Sequence, residues 1–102
     1  MQTVIVLFNL KQGVDVAQYE AWARDSDLPV VNGLASVEKF EVLKASGLLI
    51  GEGASPYQYV EIIRVPDMAA FAADLSDPAA QAGAAQFQHY ADNPLFILTH
   101  PL

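Results

Sequence analysis

Residues 36–65, SVEKFEVLKASGLLIGEGASPYQYVEIIRV, decide the fold. Phe40 and Val42 alternate with Lys39 and Glu41, and Tyr57, Tyr59, Glu61 and Ile63 alternate with Gln58, Val60, Ile62 and Arg64. A period of two predicts strands, so this stretch reads as two strands joined by a glycine-rich loop. Gly47, Gly51 and Gly53 permit backbone angles closed to other residues, yet the loop carries Leu48, Leu49 and Ile50 where a water-exposed tip would be polar. Contiguous exposed apolar residues mark interaction surfaces, which predicts docking on a partner subunit or on the rim of an apolar pocket.

Working outward, TVIVLFNL (3–10) reads as a first strand. Asp15 is placed to cap a following helix, with Gln18 at the capping-box position and Val16, Tyr19, Trp22 and Ala23 along one side. Pro29 interrupts the hydrogen bonding, which predicts a break around Asp25 to Asp27 and a second helical piece over PVVNGLA, ending near Gly33 before a strand from Val37 to Lys44. Asp67 caps a short helix whose buried stripe is Met68, Phe71, Ala72 and Leu75. Ser76, Asp77 and Pro78 open another, with Ala80, Ala84, Phe87 and Ala91 on one side, closed by Asn93 and Pro94 before a last strand, LFILTH. The order strand, helix, strand, strand, helix pair, strand predicts an α+β, ferredoxin-like, four-stranded antiparallel sheet with helices on one face. The first and last strands are apolar on both faces, and no element remains to cover the second face. A second copy stacked sheet against sheet is the economical cover, so the expected assembly is a homodimeric α/β barrel.

A chain of 102 residues, 53% of them hydrophobic, fits one domain, residues 1–102. The absence of cysteine removes disulfides, thiolate catalysis and cysteine-ligated metals, and is compatible with a cytoplasmic protein. Five basic against twelve acidic residues argue against nucleic acid and anionic membranes as partners. The apolar start is too short to span a bilayer and lacks the flanks of a signal peptide.

KFEVLKASGLLIGEG, then ASPYQYVEIIRV and DMAAFAADLSDP, resemble the RedY/HapK-like proteins of the dimeric α/β barrel superfamily over nearly the whole chain. That family is found among biosynthetic genes for prodiginine pigments and related pyrrole and indole metabolites, so the resemblance implies small-molecule metabolism. The superfamily also holds cofactor-free polyketide cyclases and small monooxygenases, and fold alone does not choose between them. YQYVEIIRVPDMAAFAADLSDPA is similar to the plant polyketide cyclases, but their histidine positions fall here at Thr3, Tyr59 and Ala80. ARDSDLP is similar to the EthD-like proteins, in which a histidine usually stands at the position of Asp27. A proton moved in that region must be moved by a carboxylate.

Tyr57, Tyr59 and Glu61 share one face of the third strand by parity, and a carboxylate beside phenols in a partly dry pocket is suited to acid/base work. The bland alternative is a tyrosine pair and a Glu61 ion-paired with Lys39. His89, near the end of the last helix, is a third candidate for proton transfer beside Glu61 and Asp27, or else an exposed last-turn residue. His100 has a weaker claim, and the spacing of the two histidines is no metal signature. Tyr19, Trp22, Phe71 and Phe87, with Tyr57, could form an aromatic wall for a planar substrate or ordinary core. GEG at 51–53 is not a phosphate loop, and no nucleotide or GxSxG motif is present. The expectation is a cofactor-independent, metal-independent protein facilitating cyclisation, condensation or rearrangement of a reactive aromatic or polyketide-like intermediate. The alternatives are a non-catalytic binding or accessory protein, and a cofactor-free monooxygenase relying on Trp22 and Tyr59.

Overall fold

The computed structural model describes residues 1–102. The alternating stretches fold as β2 (Lys39–Lys44) and β3 (Tyr59–Val65), and the apolar start as β1 (Gln2–Leu10). β4 (Ala91–Thr99) completes an antiparallel sheet in the order β2-β3-β1-β4. Helices α1 (Val16–Trp22), α2 (Leu28–Asn32), α3 (Met68–Asp74) and α4 (Pro78–Tyr90) complete the α+β ferredoxin-like fold. Three aspartates cap helices as their positions predict. Asp15 accepts from the Ala17 N–H, Asp67 from Ala69 and Ala70, and Asp77 from Ala79 and Ala80.

The first helix does not break at Asp25 to Asp27. It widens into a π-helical segment, Ala23–Asp27, where the Leu28 N–H donates to the Ala23 carbonyl five residues back, and it runs on into α2. Pro29 lacks an N–H and crowds the preceding turn, and the wider turn relieves that conflict without ending the helix. Gly33 then ends α2. The Asn32 amide ties α2 to the sheet edge, donating to the Phe40 carbonyl and accepting from the Phe40 N–H at 3.0 and 2.9 Å, as a neighbouring strand would.

Two other boundaries move. β2 starts at Lys39 rather than Val37, although the Glu38 N–H already donates to the Arg64 carbonyl. β4 starts at Ala91, where the chain passes from helix straight into extended backbone. Asn93 and Pro94 therefore lie inside the strand, at a register irregularity opposite Leu7 to Asn9, with Asn93 at a φ of 45°. β4 is an edge strand, where a residue without an N–H is tolerated.

The register sorts the sheet into two faces. Val6, Glu61, Val42 and Phe96 lie in one row facing the helices, and the next rows, Ile5, Ile62, Ile97 and Leu7, Val60, Leu43, Leu95, face the other way. The helix side holds two packed clusters. One gathers Val6, Phe8, Tyr19, Tyr59, Phe87 and Tyr90, and the other Val37, Phe40, Val65 and Phe71. No helix covers the opposite face, where Leu43, Leu95 and Ile97 are exposed. The molecule is a slab 20 Å thick. The loop tip also projects freely, with Leu49 99% and Ile50 88% exposed.

Candidate functional site

Between the two packed clusters lies a cavity of about 250 Å³ bounded by all four strands, the π-helical segment and helices α2 to α4. Its exposed side is formed by Leu75, Ala84, Gln88 and Phe96, and its buried side by Val4, Phe40, Phe71, Phe87, Asp27 and Glu61. The small residues Ala80, Gly83 and Ala84 of α4 leave this space open, and a Cβ at Gly83 would meet nothing within 4 Å.

Asp27 and Glu61 are the only ionisable residues lining it. Glu61 is on the helix side because the pleat puts every second residue of β3 there. Asp27 ends the π-helical segment, and it is 9% exposed while Asp25 and Ser26 just before it are exposed. Burial pushes the Asp27 carboxyl up to about 6. Glu61, 5% exposed, is pushed up to about 8 by burial, with the Asp27 charge adding to the effect. Water stabilises a carboxylate far better than an apolar cavity does, and two nearby carboxyls resist carrying charge together. At neutral pH, Glu61 therefore holds its proton and Asp27 has released its own. Glu61 Oε2 and the Tyr19 hydroxyl are buried without a hydrogen-bond partner. Burial, followed by the charges of Glu61 and Asp27, keeps the Tyr19 phenol protonated. One carboxylic acid and one carboxylate thus stand at the closed end of an apolar space, able to give and take a proton at the same ligand. No three His, Asp or Glu side chains converge as metal ligands would.

The family described as REDY-like protein HapK matches residues 2–102. The chain belongs to the REDY-like HapK family. HapK from Hahella chejuensis is 29% identical in sequence, with a TM-score of 0.78 over 100% of this chain and 93% of that one. A dimeric ferredoxin-like protein of unknown function from Thermobifida fusca is 18% identical, with a TM-score of 0.75 over 98% of this chain and 90% of its own. SnoaB, a cofactor-independent oxygenase from Streptomyces nogalater, is 16% identical, with a TM-score of 0.73 over 98% and 91%. The last two likenesses are of fold alone. Among curated proteins none matches the chain.

The structure of this HapK-family member separates the residues that the sequence grouped. Tyr59 shares the helix-side face with Glu61 but does not reach it. Its hydroxyl donates to Glu20 Oε2 at 2.6 Å, in a second, smaller pocket where Lys44 Nζ lies 2.7 Å from the same oxygen and Arg24 3.4 Å from Oε1. Hydrogen bonds from Lys44 and then Tyr59 hold the Glu20 carboxyl below its ordinary range. Burial, then the Glu20 hydrogen bond and charge, raises the Tyr59 phenol. The pairing of Glu61 with Lys39 is also absent, because Lys39 points to the other sheet face and lies 3.7 Å from Glu41.

Phe71 and Phe87 line the cavity, whereas Tyr19 and Trp22 do not form its wall. Tyr19 is fully buried between Phe8, Tyr59 and Tyr90, and Trp22 packs on Tyr90 at 5.4 Å. Tyr57 lies before β3 and borders a groove beside the glycine-rich loop. His89 and His100 are exposed and line no cavity. The Glu20–Lys44–Tyr59 network escaped the sequence reading because its members are 39 and 24 positions from Glu20's turn of helix in the chain, with only Glu20 and Arg24 at a helical i,i+4 spacing.

Proposed function

We propose that the chain is a cofactor- and metal-independent biosynthetic protein that moves a proton on a small aromatic substrate held in the Asp27–Glu61 cavity. The observation that carries this reading is the pair itself: two buried carboxyls with proton affinities pushed apart, at the closed end of an apolar cavity. Asp27 accepts a proton from an acidic C–H or N–H of the substrate, and Glu61 gives its proton to the oxygen or carbon that becomes basic. The pair returns to its starting state by passing the proton from Asp27 to Glu61. The cavity walls exclude water and fold the substrate, and this combination serves cyclisation, condensation or rearrangement. The family resemblance directs the choice of substrates to pyrrole, indole or polyketide-like intermediates of specialised metabolism.

The working unit we propose is a homodimer packed through the open sheet face. The chain exposes 6491 Å², about 900 Å² more than the roughly 5600 Å² of a monomeric protein of 11.0 kDa. That excess is close to the roughly 800 Å² that each partner contributes to a standard interface. Ile5, Leu7, Val60, Ile62, Leu95 and Ile97 supply a continuous apolar surface for it. The Thermobifida relative, which is dimeric, supports the same assembly.

Turnover of candidate aromatic intermediates by the purified protein tests the reading. Glu61→Gln and Asp27→Asn should each lower the rate by roughly a hundredfold or more, the scale of a lost general acid or base. Substrate binding without any rate above background, unchanged in both variants, would make the protein a shelter for the intermediate instead. A monooxygenase reading gains nothing from Trp22 and Tyr59, which lie outside the cavity, and undiminished turnover without oxygen would exclude it.

A further inference from the structure

The cavity contains a strong charge asymmetry. Its two ionisable side chains are both acids, and no Lys, Arg or His lines it. Elsewhere in the molecule the well-placed carboxylates have cationic or backbone partners, as Glu20 has Lys44 and Asp74 has the Ser36 N–H. Around Asp27 and Glu61 the remaining walls are aliphatic and aromatic, with Gln88 the one other polar side chain. Four of the chain's five phenylalanines, Phe40, Phe71, Phe87 and Phe96, line this space. The negative face of an aromatic ring attracts a cation, and it does so most strongly where water is excluded. A buried carboxylate without a cationic partner is costly, so an occupant that brings a positive charge gains what the protein itself does not supply.

The geometry points to an organic cation as the ligand: a planar aromatic body among the phenylalanines, with a protonated nitrogen donating to Glu61 Oε2 and Asp27. This deepens the function proposed above by naming the charge class of the substrate, and it rests on that reading only for the location of the site. An amine, an iminium and a protonated heteroaromatic ring share the required chemistry. Carboxylate- and phosphate-bearing compounds are rejected, because they would bury a second negative charge beside Asp27.

The titratable groups facing the ligand are Asp27 from the π-helical segment and Glu61 from β3, with the Tyr19 phenol of α1 in their field. β1, β2, β4, α2, α3 and α4 present Val4, Phe40, Phe96, Val31, Phe71 and Gln88, none of which ionises. A bound cation favours the ionised form of Asp27, so its affinity should rise with pH as Asp27 ionises, while Glu61 keeps the proton it transfers.

Calorimetry with three planar probes of nearly one shape decides the matter: 2-naphthylmethylamine, 2-naphthalenemethanol and 2-naphthoate. At pH 7.5 the amine should bind about tenfold or more tighter than the alcohol, and the carboxylate should not bind. The amine's advantage should grow between pH 6 and 8 and shrink to about twofold in Asp27→Asn/Glu61→Gln. Gly83→Leu, which fills open space on the α4 wall, should weaken both the amine and the alcohol. Equal or tighter binding of the alcohol in the wild-type protein, binding of none of the probes at millimolar concentration, or amine binding undiminished in Gly83→Leu would overturn the inference. None of these outcomes bears on the rate losses in Glu61→Gln and Asp27→Asn, which decide the proton-transfer reading.

Discussion

Replacing Glu61 with Gln should stabilise the protein above neutral pH, and the structure sets the size of the effect. The native state holds a proton on Glu61 that the unfolded chain has already released. The resulting stability is fully present below about pH 4.5 and is lost as pH rises through about 8. A carboxyl raised from 4.5 to about 8 corresponds to about 5 kcal/mol, a large share of the total stability of a small protein. Asp27, raised from 3.8 to about 6, acts with the same sign and adds about 3 kcal/mol. Glutamine keeps the shape of the protonated acid and cannot ionise. Urea unfolding at fixed protein concentration, at pH 5 and at pH 8.5, measures the difference. The wild-type midpoint should fall by roughly 2 M or more between the two, and the Glu61→Gln midpoint by much less. Other carboxylates of this chain of net charge −7 contribute equally to both proteins, so the comparison isolates Glu61. A wild-type stability that is constant or rises over this range, or a variant that falls as steeply, would refute the reasoning.

Light scattering should give a dimer of the 11.0 kDa chain that persists in high salt, since its interface is apolar, and Ile62→Asp should dissociate it. A monomer in the wild-type protein would remove the assembly. Tyr59→Phe should change turnover by only a few-fold and cost about 1 kcal/mol of stability, because its hydroxyl serves Glu20 and not the cavity. A hundredfold loss there would return Tyr59 to the site.

The fold was legible because its signals are local and redundant. Period-two runs on both sides of Gly47 to Gly53 name two strands, and three aspartates cap the helices that carry their stripes. The boundaries that moved share one cause, which is that tertiary contacts override a breaker. Pro29 widens the helix instead of ending it, and Asn93 and Pro94 sit within an edge strand because β1 pairs on both sides of the irregularity. At the site, parity put Tyr59 and Glu61 on one face of the third strand, and the likeness to the EthD-like proteins pointed to Asp27. Parity could not show that Tyr59 turns toward Glu20, which depends on where α1 crosses the sheet. Aromatic content could not separate Phe71 and Phe87 of the cavity from the Tyr19–Trp22–Tyr90 cluster, since all of them lie on helices with an apolar side.

Carbon-13 NMR titration of the side-chain carboxyls tests the central claim most directly and needs no substrate. The Glu61 and Asp27 signals should titrate with apparent midpoints near 8 and 6, the values belonging to the coupled pair. Neutralising Asp27 as Asn should lower the Glu61 midpoint while leaving it well above the ordinary range, because burial is the larger cause. Midpoints near 4 for both residues in the folded wild-type protein would contradict the account.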